Sequence, residues 1–458
     1  MLHGASVMHR RSIRWKTLAL LLALSIVLGA PRAASPGPRT ASDYQRTPRG
    51  DILTVDGARV YWLRRDSRVL YVRVGYPLVI GNLDQRLAAE ILARELNEAA
   101  EAAVRTAGIH GAQMEASVRD ERLEFRGNFV LPAAVRAVME EFAVRMPSLM
   151  SDRQVIRRAI SQYSEEFAQA AQDPVFNVLY RLNLALTRVN VSHRASQSSE
   201  QDLLLAGCTL LEAPAGMSVV GPVDREEAVQ LASIILRGLW PTVCTQSSKG
   251  KGRDSDKSRR RSDDRTFASS AILPHSNPNR RRSHDMSPLV VAVGLRCGGY
   301  LDKDYHALRL AVEILGGGGS NSRLIRDLRI RRGLVYSMAT RLEARGQIST
   351  LSVLTTTSKA DAHRVIDRIS RALRLLRNTP PSDDEIRRAV DALVNEFDLS
   401  TGDGQTVALS TFNSAMYGLG PEWIAAYPAR IASVSPLEVS AALSRCQWPQ
   451  VSTSASKP

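Results

Sequence analysis

The chain has 458 residues, of which 44% are hydrophobic, so it can build two or three packed domains and is not a disordered chain. The formal net charge is +15, but +4 of this lies before residue 17 and +7 lies within residues 245–282. The remaining +4 excludes a strongly basic folded domain of the kind that coats nucleic acid or a membrane surface.

Residues 1–34 have the composition of an export signal. The basic segment HRRSIRWK precedes an apolar run, TLALLLALSIVLGA, and small residues near Ala33 and Ala34 suit cleavage. A membrane-spanning helix needs about 20 apolar residues, so a removed signal peptide is favoured over an uncleaved N-terminal anchor. We therefore expect an exported protein, periplasmic in a bacterium, with no transmembrane span after cleavage and a mobile segment at residues 35–49.

Residues 50–244 predict an α+β domain. RVLYVRVGYP predicts a strand, DQRLAAEILARELNEAAEAAV an amphipathic helix, SVRDERLEFRGNFV a pair of strands and PAAVRAVMEEFAVRM a second helix. Strands mixed with amphipathic helices indicate a sheet that helices cover on one side. The first helix has an apolar stripe at helical spacing, formed by Leu87, Ile91, Leu92 and Leu96.

Residues 245–287 predict a basic, disordered linker. They lack any sustained apolar period and are rich in Ser, Arg, Asp and Pro. An arm that binds RNA or acidic lipid is the alternative, since phosphate contacts need such charge. No aromatic residues alternate with the arginines to stack on bases, so nucleic acid is not the expected partner.

Residues 288–450 repeat the design of the first domain. SPLVVAVGLRC, SMATRLEARGQISTLSVLTT and KADAHRVIDRISRALRLL predict a strand, a pair of strands and a helix in the order seen before. IRRAISQYSEEF, at residues 156–167, matches IRRAVDALVNEF, at residues 386–397, at six of twelve positions with an offset of 230 residues. We infer an internal duplication, and we expect residues 451–458 to be a mobile tail.

The four cysteines are Cys208, Cys244, Cys297 and Cys446, and no two of them have C-x-x-C spacing. Metal binding and thioredoxin-like chemistry are therefore unsupported. An oxidising compartment permits disulfides, but the sequence does not choose among the three pairings. Burial as small apolar side chains is the alternative.

LGGGGSNSRLIRDLRIRRGLVYS, at residues 315–337, places four consecutive glycines between two predicted helices. It lacks the Lys of a P-loop and the preceding strand of a dinucleotide fingerprint. The glycines suit a turn with positive φ, and Ser320 or Ser322 suits the cap of the next helix. The other interpretation is a loop that contacts peptide through Gly316, Gly317, Gly318, Gly319 and Ser320.

This stretch, the helix SDDEIRRAVDALVNEF and the closing RIASVSPLEVSAALSRC resemble the pitrilysin/insulinase-like family of zinc metallopeptidases, which includes the mitochondrial processing peptidases. The resemblance is clear over residues 288–450 and follows the order of elements over residues 50–240. It implies two homologous α+β domains in a clamshell arrangement, each a mostly antiparallel sheet covered by helices. The duplication supports this fold independently.

The family binds zinc through H-x-x-E-H on a helix, where two His hold the metal and Glu activates a water. The corresponding helix here, at residues 84–104, contains no histidine. No two of the chain's eight histidines are three to five residues apart, and His110 and His306 suit a turn and a helix surface. We therefore expect no metal and no cofactor in this chain, and a solvated helix face formed by Glu90, Glu95, Glu98 and Glu101.

The second domain keeps the family's R-x-x-R-G-L-x-Y pattern as Arg329, Arg332, Gly333, Leu334 and Tyr336. A guanidinium and a phenol can hold substrate carbonyls and the oxyanion of a hydrated peptide bond. Spacing alone would make Arg329 an exposed helix arginine and Tyr336 a core-edge tyrosine. The resemblance makes both of them candidate catalytic residues that act in trans.

The resemblance implies a non-catalytic, substrate-binding subunit of an exported zinc endopeptidase, inactive when alone. Its expected partners are a homologous subunit that carries H-x-x-E-H and the zinc, and an extended peptide substrate. A scaffold or peptide-binding protein with no catalytic contribution is the alternative. An independent Ser or Cys hydrolase is disfavoured, since the G-x-S-x-G nucleophile elbow is absent.

Overall fold

The computed structural model describes residues 50–78, 83–119, 122–130, 132–151, 153–187, 216–239, 286–447 and 450–455. The predicted signal peptide, the segment at residues 35–49 and the predicted linker as far as residue 285 lie outside the described residues. So do Cys208 and Cys244.

The first half of the chain forms a six-stranded sheet with the strand order β1-β2-β6-β3-β5-β4. Neighbouring strands are antiparallel except β2 and β6, which are parallel. The strands are β1 (Asp51–Val55), β2 (Ala58–Arg64), β3 (Leu70–Pro77), β4 (Ala112–Arg119), β5 (Arg122–Phe129) and β6 (Gly216–Gly221). The helices are α1 (Leu83–Ala107), α2 (Ala133–Ser151), α3 (Arg153–Ala170), α4 (Pro174–Thr187) and α5 (Arg225–Leu239).

The second half forms a four-stranded antiparallel sheet with the order β10-β7-β9-β8. Its strands are β7 (Pro288–Gly298), β8 (Ser337–Ala344), β9 (Ile348–Ser358) and β10 (Gln450–Ala455). Its helices are α6 (Tyr305–Val312), α7 (Ala362–Asn378), α8 (Asp383–Gly402), α9 (Gly404–Met416), α10 (Pro421–Ala425), α11 (Tyr427–Ala432) and α12 (Pro436–Arg445). Mostly antiparallel sheets covered by helices confirm the predicted α+β class.

Each half has a core between its sheet and its own helices. In the first half, Val72 and Val74 of β3 pack with Leu92 and Leu96 of α1 and with Phe142 of α2. The side chains of a strand alternate between faces, so one face of the sheet receives the apolar set. In the second half, Val291 and Val293 of β7 share a core with residues of α6, α7 and α12, which include Leu308, Ile369 and Val439.

The expectation that helices cover each sheet on one side only is wrong, because the two halves exchange a helix. Helix α4 of the first half packs on β7 and β10, where a Cβ at Gly294 would come 3.0 Å from both Leu182 and Leu186. Helix α9 of the second half packs on β6, β3 and β2, and a Cβ at Gly75 would collide with Phe412. Glycines on both sheets allow this approach, and residues 46–458 consequently form one compact unit.

The tail expected from residue 451 is instead strand β10 as far as Ala455. It pairs antiparallel with β7, in a register that places Val451 opposite Val293. The Ser and Thr residues of this segment are typical of a loop. An edge strand can nevertheless form from them, because it needs only backbone pairing and one apolar face. Val451 supplies that contact by packing against the core of the second half.

The structure also decides one cysteine pairing. Cys297 at the end of β7 and Cys446 just after α12 form a disulfide. Both residues are buried, but the alternative of unpaired apolar cysteines is wrong for these two. The bond lies next to the start of β10, where the Gln447 N–H donates to the Arg296 carbonyl at 2.8 Å.

His306 is not the helix-surface residue that the sequence suggests, because only 8% of it is exposed. Its ring lies among those of Tyr305, Trp423 and Tyr427, with centroid separations of 5.2, 5.5 and 5.7 Å. Its Nε2 has no hydrogen-bond partner within the described ranges. Burial, assisted by the charge of Arg430, lowers the pKa of His306 to about 4.

This burial makes the protein sensitive to mild acid. The unfolded chain binds a proton at His306 near its ordinary pKa of 6.5, whereas the folded chain does so only near pH 4. Stability is therefore retained above pH 6.5 and lost as the pH falls towards 4, by about 2 kcal/mol between pH 7.5 and pH 5. His306→Phe keeps a ring and removes the proton site, so urea unfolding should show a weaker loss for this variant. Equal acid losses in both proteins would contradict the prediction.

Candidate functional site

The four glycines form a compact turn after α6. The helix continues as one wide π-turn (Glu313–Gly317), followed by a short 3-10 turn (Gly319–Asn321), and only Gly319 has a positive φ, at +60°. Gly316 is buried and packs so closely on Thr340 of β8 that a Cβ at this position would collide with it. The other four predicted peptide contacts, residues 317–320, are exposed. The loop therefore combines a packing role at Gly316 with an open backbone beyond it.

Ser322, rather than Ser320, stands at the start of the next helical segment. Its backbone is extended, and its carbonyl accepts from the Arg326 N–H at 3.0 Å. Its hydroxyl donates back to the Gly319 carbonyl at 2.8 Å instead of accepting from a helix N–H. The side chain thus fixes the glycine turn more than it caps the helix.

The predicted Arg/Tyr pair lies on a well-anchored stretch of backbone. Arg329 belongs to a π-helical turn (Ile325–Ile330), and the chain changes direction three residues later at Gly333, whose φ is +60°. The Leu334 N–H donates to the Leu328 carbonyl at 2.8 Å, and the Thr357 hydroxyl donates to the Leu334 carbonyl at 2.7 Å. The turn and its exit are therefore held from both sides.

The side chains of the pair, in contrast, face solvent. Tyr336 is 87% exposed, so it is not a core-edge tyrosine. Arg329 is exposed and forms no ion pair with any residue that the structure describes. An anchored backbone with two unused donors can present them to a ligand without reorganisation.

Arg332, the second arginine of the pattern, has a structural contact. Its Nε lies 3.0 Å from Asp327, which also binds Arg368 of α7 at 2.9 Å. Partial burial raises the pKa of Asp327, but hydrogen bonds from Arg332 and Arg368 bring it below its usual value. These contacts tie the Arg329 turn to helix α7.

A basic groove, which the sequence did not predict, lies beside the π-helical turn that contains Arg329. It has a volume of about 1010 Å³ and is formed by residues 321–331, helix α7 and the start of helix α8. The sequence contains one sign of this groove: Arg368, Arg371 and Arg374 recur every three residues, a spacing that places them on one face of a helix. The arginines that line the groove are Arg323, Arg326, Arg331, Arg368, Arg371, Arg374 and Arg388.

Helix α1, where the family carries its zinc ligands, does not fit a metal. Glu98 and Glu101 are exposed and Glu90 is half-buried, but Glu95 is only 9% exposed. The expected solvated face is therefore wrong for Glu95, and burial, together with the charge of Glu98, raises its pKa. Within the described ranges, no three His, Cys, Asp or Glu side chains meet where they could hold a metal ion.

The lone protein is expected to contain no stoichiometric zinc and to cleave no unfolded peptide. The reason is the α1 helix, which has carboxylates but no imidazole ligand. Elemental analysis after purification without chelators checks the metal, and a quenched fluorescent peptide checks the activity. One zinc per chain, or hydrolysis that a chelator abolishes, would contradict the expectation.

Residues 216–393 match the family model of the peptidase M16 inactive domain. None of the curated protein sequences compared with the chain matches it. Similar solved structures include a peptidase M16 inactive domain from Pseudomonas fluorescens, with 14% identity and a TM-score of 0.67 over 89% of this chain and 100% of that chain. A protease from Helicobacter pylori has 15% identity and a TM-score of 0.68 over 90% and 100% of the two chains. The periplasmic protease PqqL from Escherichia coli has 13% identity and a TM-score of 0.59 over 94% of this chain and 49% of that chain.

The TM-scores show that these proteins share a fold with this chain, and at such low identities they show nothing more. The family model matches the region from β6 into α8. That region contains both the glycine turn and the R-x-x-R-G-L-x-Y pattern. No H-x-x-E-H occurs anywhere in the sequence. Residues 216–393 are therefore similar to the inactive domain of M16 peptidases, and the chain shares the fold of the solved M16-like structures without the zinc-binding motif.

Proposed function

We propose that the protein is the non-catalytic, substrate-binding subunit of an exported zinc endopeptidase. It pairs with a homologous subunit that carries H-x-x-E-H and the zinc, and it donates Arg329 and Tyr336 to substrate bound at the partner's site. The single observation that carries the proposal is the exposure of these two side chains on an anchored turn.

The chemistry of the pair supports a role in holding peptide. The Arg329 guanidinium offers several N–H donors in a planar fork, and the Tyr336 hydroxyl offers one. Neither group is used by the described part of the chain, so each can donate to a substrate carbonyl or to the oxyanion that forms when water adds to it. The proton transfers and the activation of water belong to the zinc-bearing partner, because α1 offers no ligand set for the metal.

Two observations support export. The Cys297–Cys446 disulfide suits an oxidising compartment, and one structural neighbour is a periplasmic protease. Among the described residues, no helix combines the length and the apolar character needed to cross a bilayer. The signal sequence predicted at residues 1–34 would supply the route.

The test is to mix the purified protein with the H-x-x-E-H homologue from its own host. We expect the pair to elute together in size-exclusion chromatography and to hydrolyse a quenched peptide, with neither subunit active alone. A complex that has no more activity than the partner alone would favour the scaffold role. If no complex forms, the subunit role is wrong.

A further inference from the structure

The basic groove carries charge that its own residues do not neutralise. Its three carboxylates are all engaged: Asp327 with Arg332 and Arg368, Asp384 with Arg387, and Glu385 with Arg323. Arg326, Arg331 and Arg388 are exposed and make no ion pair with any described residue. Three guanidinium groups therefore face the groove without a counter-charge.

The walls of the groove are held in place by ion pairs. Arg323 binds Glu385 through two contacts of 2.7 Å, which join the segment before the π-turn to the start of α8. These contacts lower the pKa of Glu385 to about 2, so the pair persists at any physiological pH. Arg368 and Asp327 join the π-turn itself to α7. A ligand would meet a site that is already formed, which reduces the entropy cost of binding.

The chemistry of the groove selects an anionic ligand. A guanidinium fork matches a carboxylate in a bidentate contact, and a volume of about 1010 Å³ is large enough for several residues of an extended chain. No aromatic side chain lines the groove, whereas single-stranded nucleic acid is usually held by stacking on aromatic rings.

We propose that this groove binds an acidic stretch of polypeptide, whose Asp and Glu side chains pair with Arg326, Arg331 and Arg388. The site is separate from the Arg/Tyr pair, because neither Arg329 nor Tyr336 is among the residues that line the groove. The proposal concerns the chain alone and does not depend on a zinc-bearing partner.

Fluorescence anisotropy with the full chain and a labelled Glu-rich peptide tests the proposal. We expect saturable binding that weakens with added salt, and no binding of a Gln-rich peptide of equal length. The variant Arg326→Glu/Arg331→Glu/Arg388→Glu should bind about tenfold or more weakly, since three pairs are lost and repulsion is added. The matched control Arg136→Glu/Arg181→Glu/Arg225→Glu makes the same charge change at exposed arginines elsewhere and should bind as the wild type does.

Each other outcome overturns the proposal. Equal loss in both triple variants would mean that net charge alone attracts the peptide, and unchanged binding in the groove variant would place the ligand elsewhere. Tighter binding of a single-stranded oligonucleotide, or of phosphatidylserine vesicles, would show a different class of partner. If the Glu variant unfolds, as judged by circular dichroism, Arg326→Gln/Arg388→Gln provides the same comparison without charge reversal.

Discussion

Arg329→Ala and Tyr336→Phe are each expected to lower kcat of the two-subunit peptidase by about 10²–10³, because each removes one donor from the substrate carbonyl or the oxyanion. The complex itself should still form. Both side chains are exposed and are not part of a core, so the loss should appear in activity without a change in the subunit's thermal midpoint. Steady-state kinetics with a quenched peptide, combined with size-exclusion chromatography, measures both effects.

Arg341→Ala is the control for this experiment. Arg341 is an exposed arginine of the edge strand β8 and lies outside the R-x-x-R-G-L-x-Y pattern. It should leave kcat nearly unchanged. If Arg329→Ala and Tyr336→Phe support full activity while the complex forms, the pair has no catalytic role and the scaffold function applies. If activity falls only because the subunits separate, the roles assigned to both residues are also wrong.

Replacing both Cys297 and Cys446 with Ala is expected to lower the free energy of unfolding by about 2–5 kcal/mol. The two residues are 149 positions apart, so the bond removes much of the freedom of the unfolded chain. It also holds the segment before β10 against β7, at the edge of the second sheet. Thermal unfolding in oxidising buffer should show a midpoint several degrees below that of the wild type.

Reductant provides the comparison for the cysteine variant. It should lower the midpoint of the wild type towards that of the double variant and should change the variant much less. Equal midpoints for the two proteins in oxidising buffer would show that the bond adds no stability. Free-thiol titration of the unfolded wild type that detects both Cys297 and Cys446 would show that the bond does not form.

Local patterns were sufficient to predict most elements of this protein. The strand RVLYVRVGYP is β3, the helix predicted over residues 84–104 lies within α1, and KADAHRVIDRISRALRLL contains most of α7. Each of these segments has a period of apolar residues that a strand or a helix satisfies by itself. The absence of H-x-x-E-H could also be established from the sequence alone, because the motif occupies five consecutive positions.

The candidate site could be predicted only in part. The pattern that contains Arg329 and Tyr336 lies within eight consecutive residues, so the sequence was enough to find it, and the assignment of these residues to substrate stays a prediction. The exposure of Tyr336 and the burial of His306 and Glu95 depend on which helices pack over them. The basic groove combines residues 321–331 with helices α7 and α8, which are distant in sequence, so the charge count of the whole chain concealed it.

By itself, then, the sequence determined many of the elements, their duplication and the loss of the zinc motif, since all three are properties of short or repeated segments. Only the tertiary structure decided the exchange of α4 and α9, the pairing of β10 with β7, the Cys297–Cys446 bond and the groove. Each of these is a contact between segments far apart in the chain. Such contacts depend on the packing of the whole molecule, where glycines such as Gly75 and Gly294 decide how closely a helix can approach a sheet.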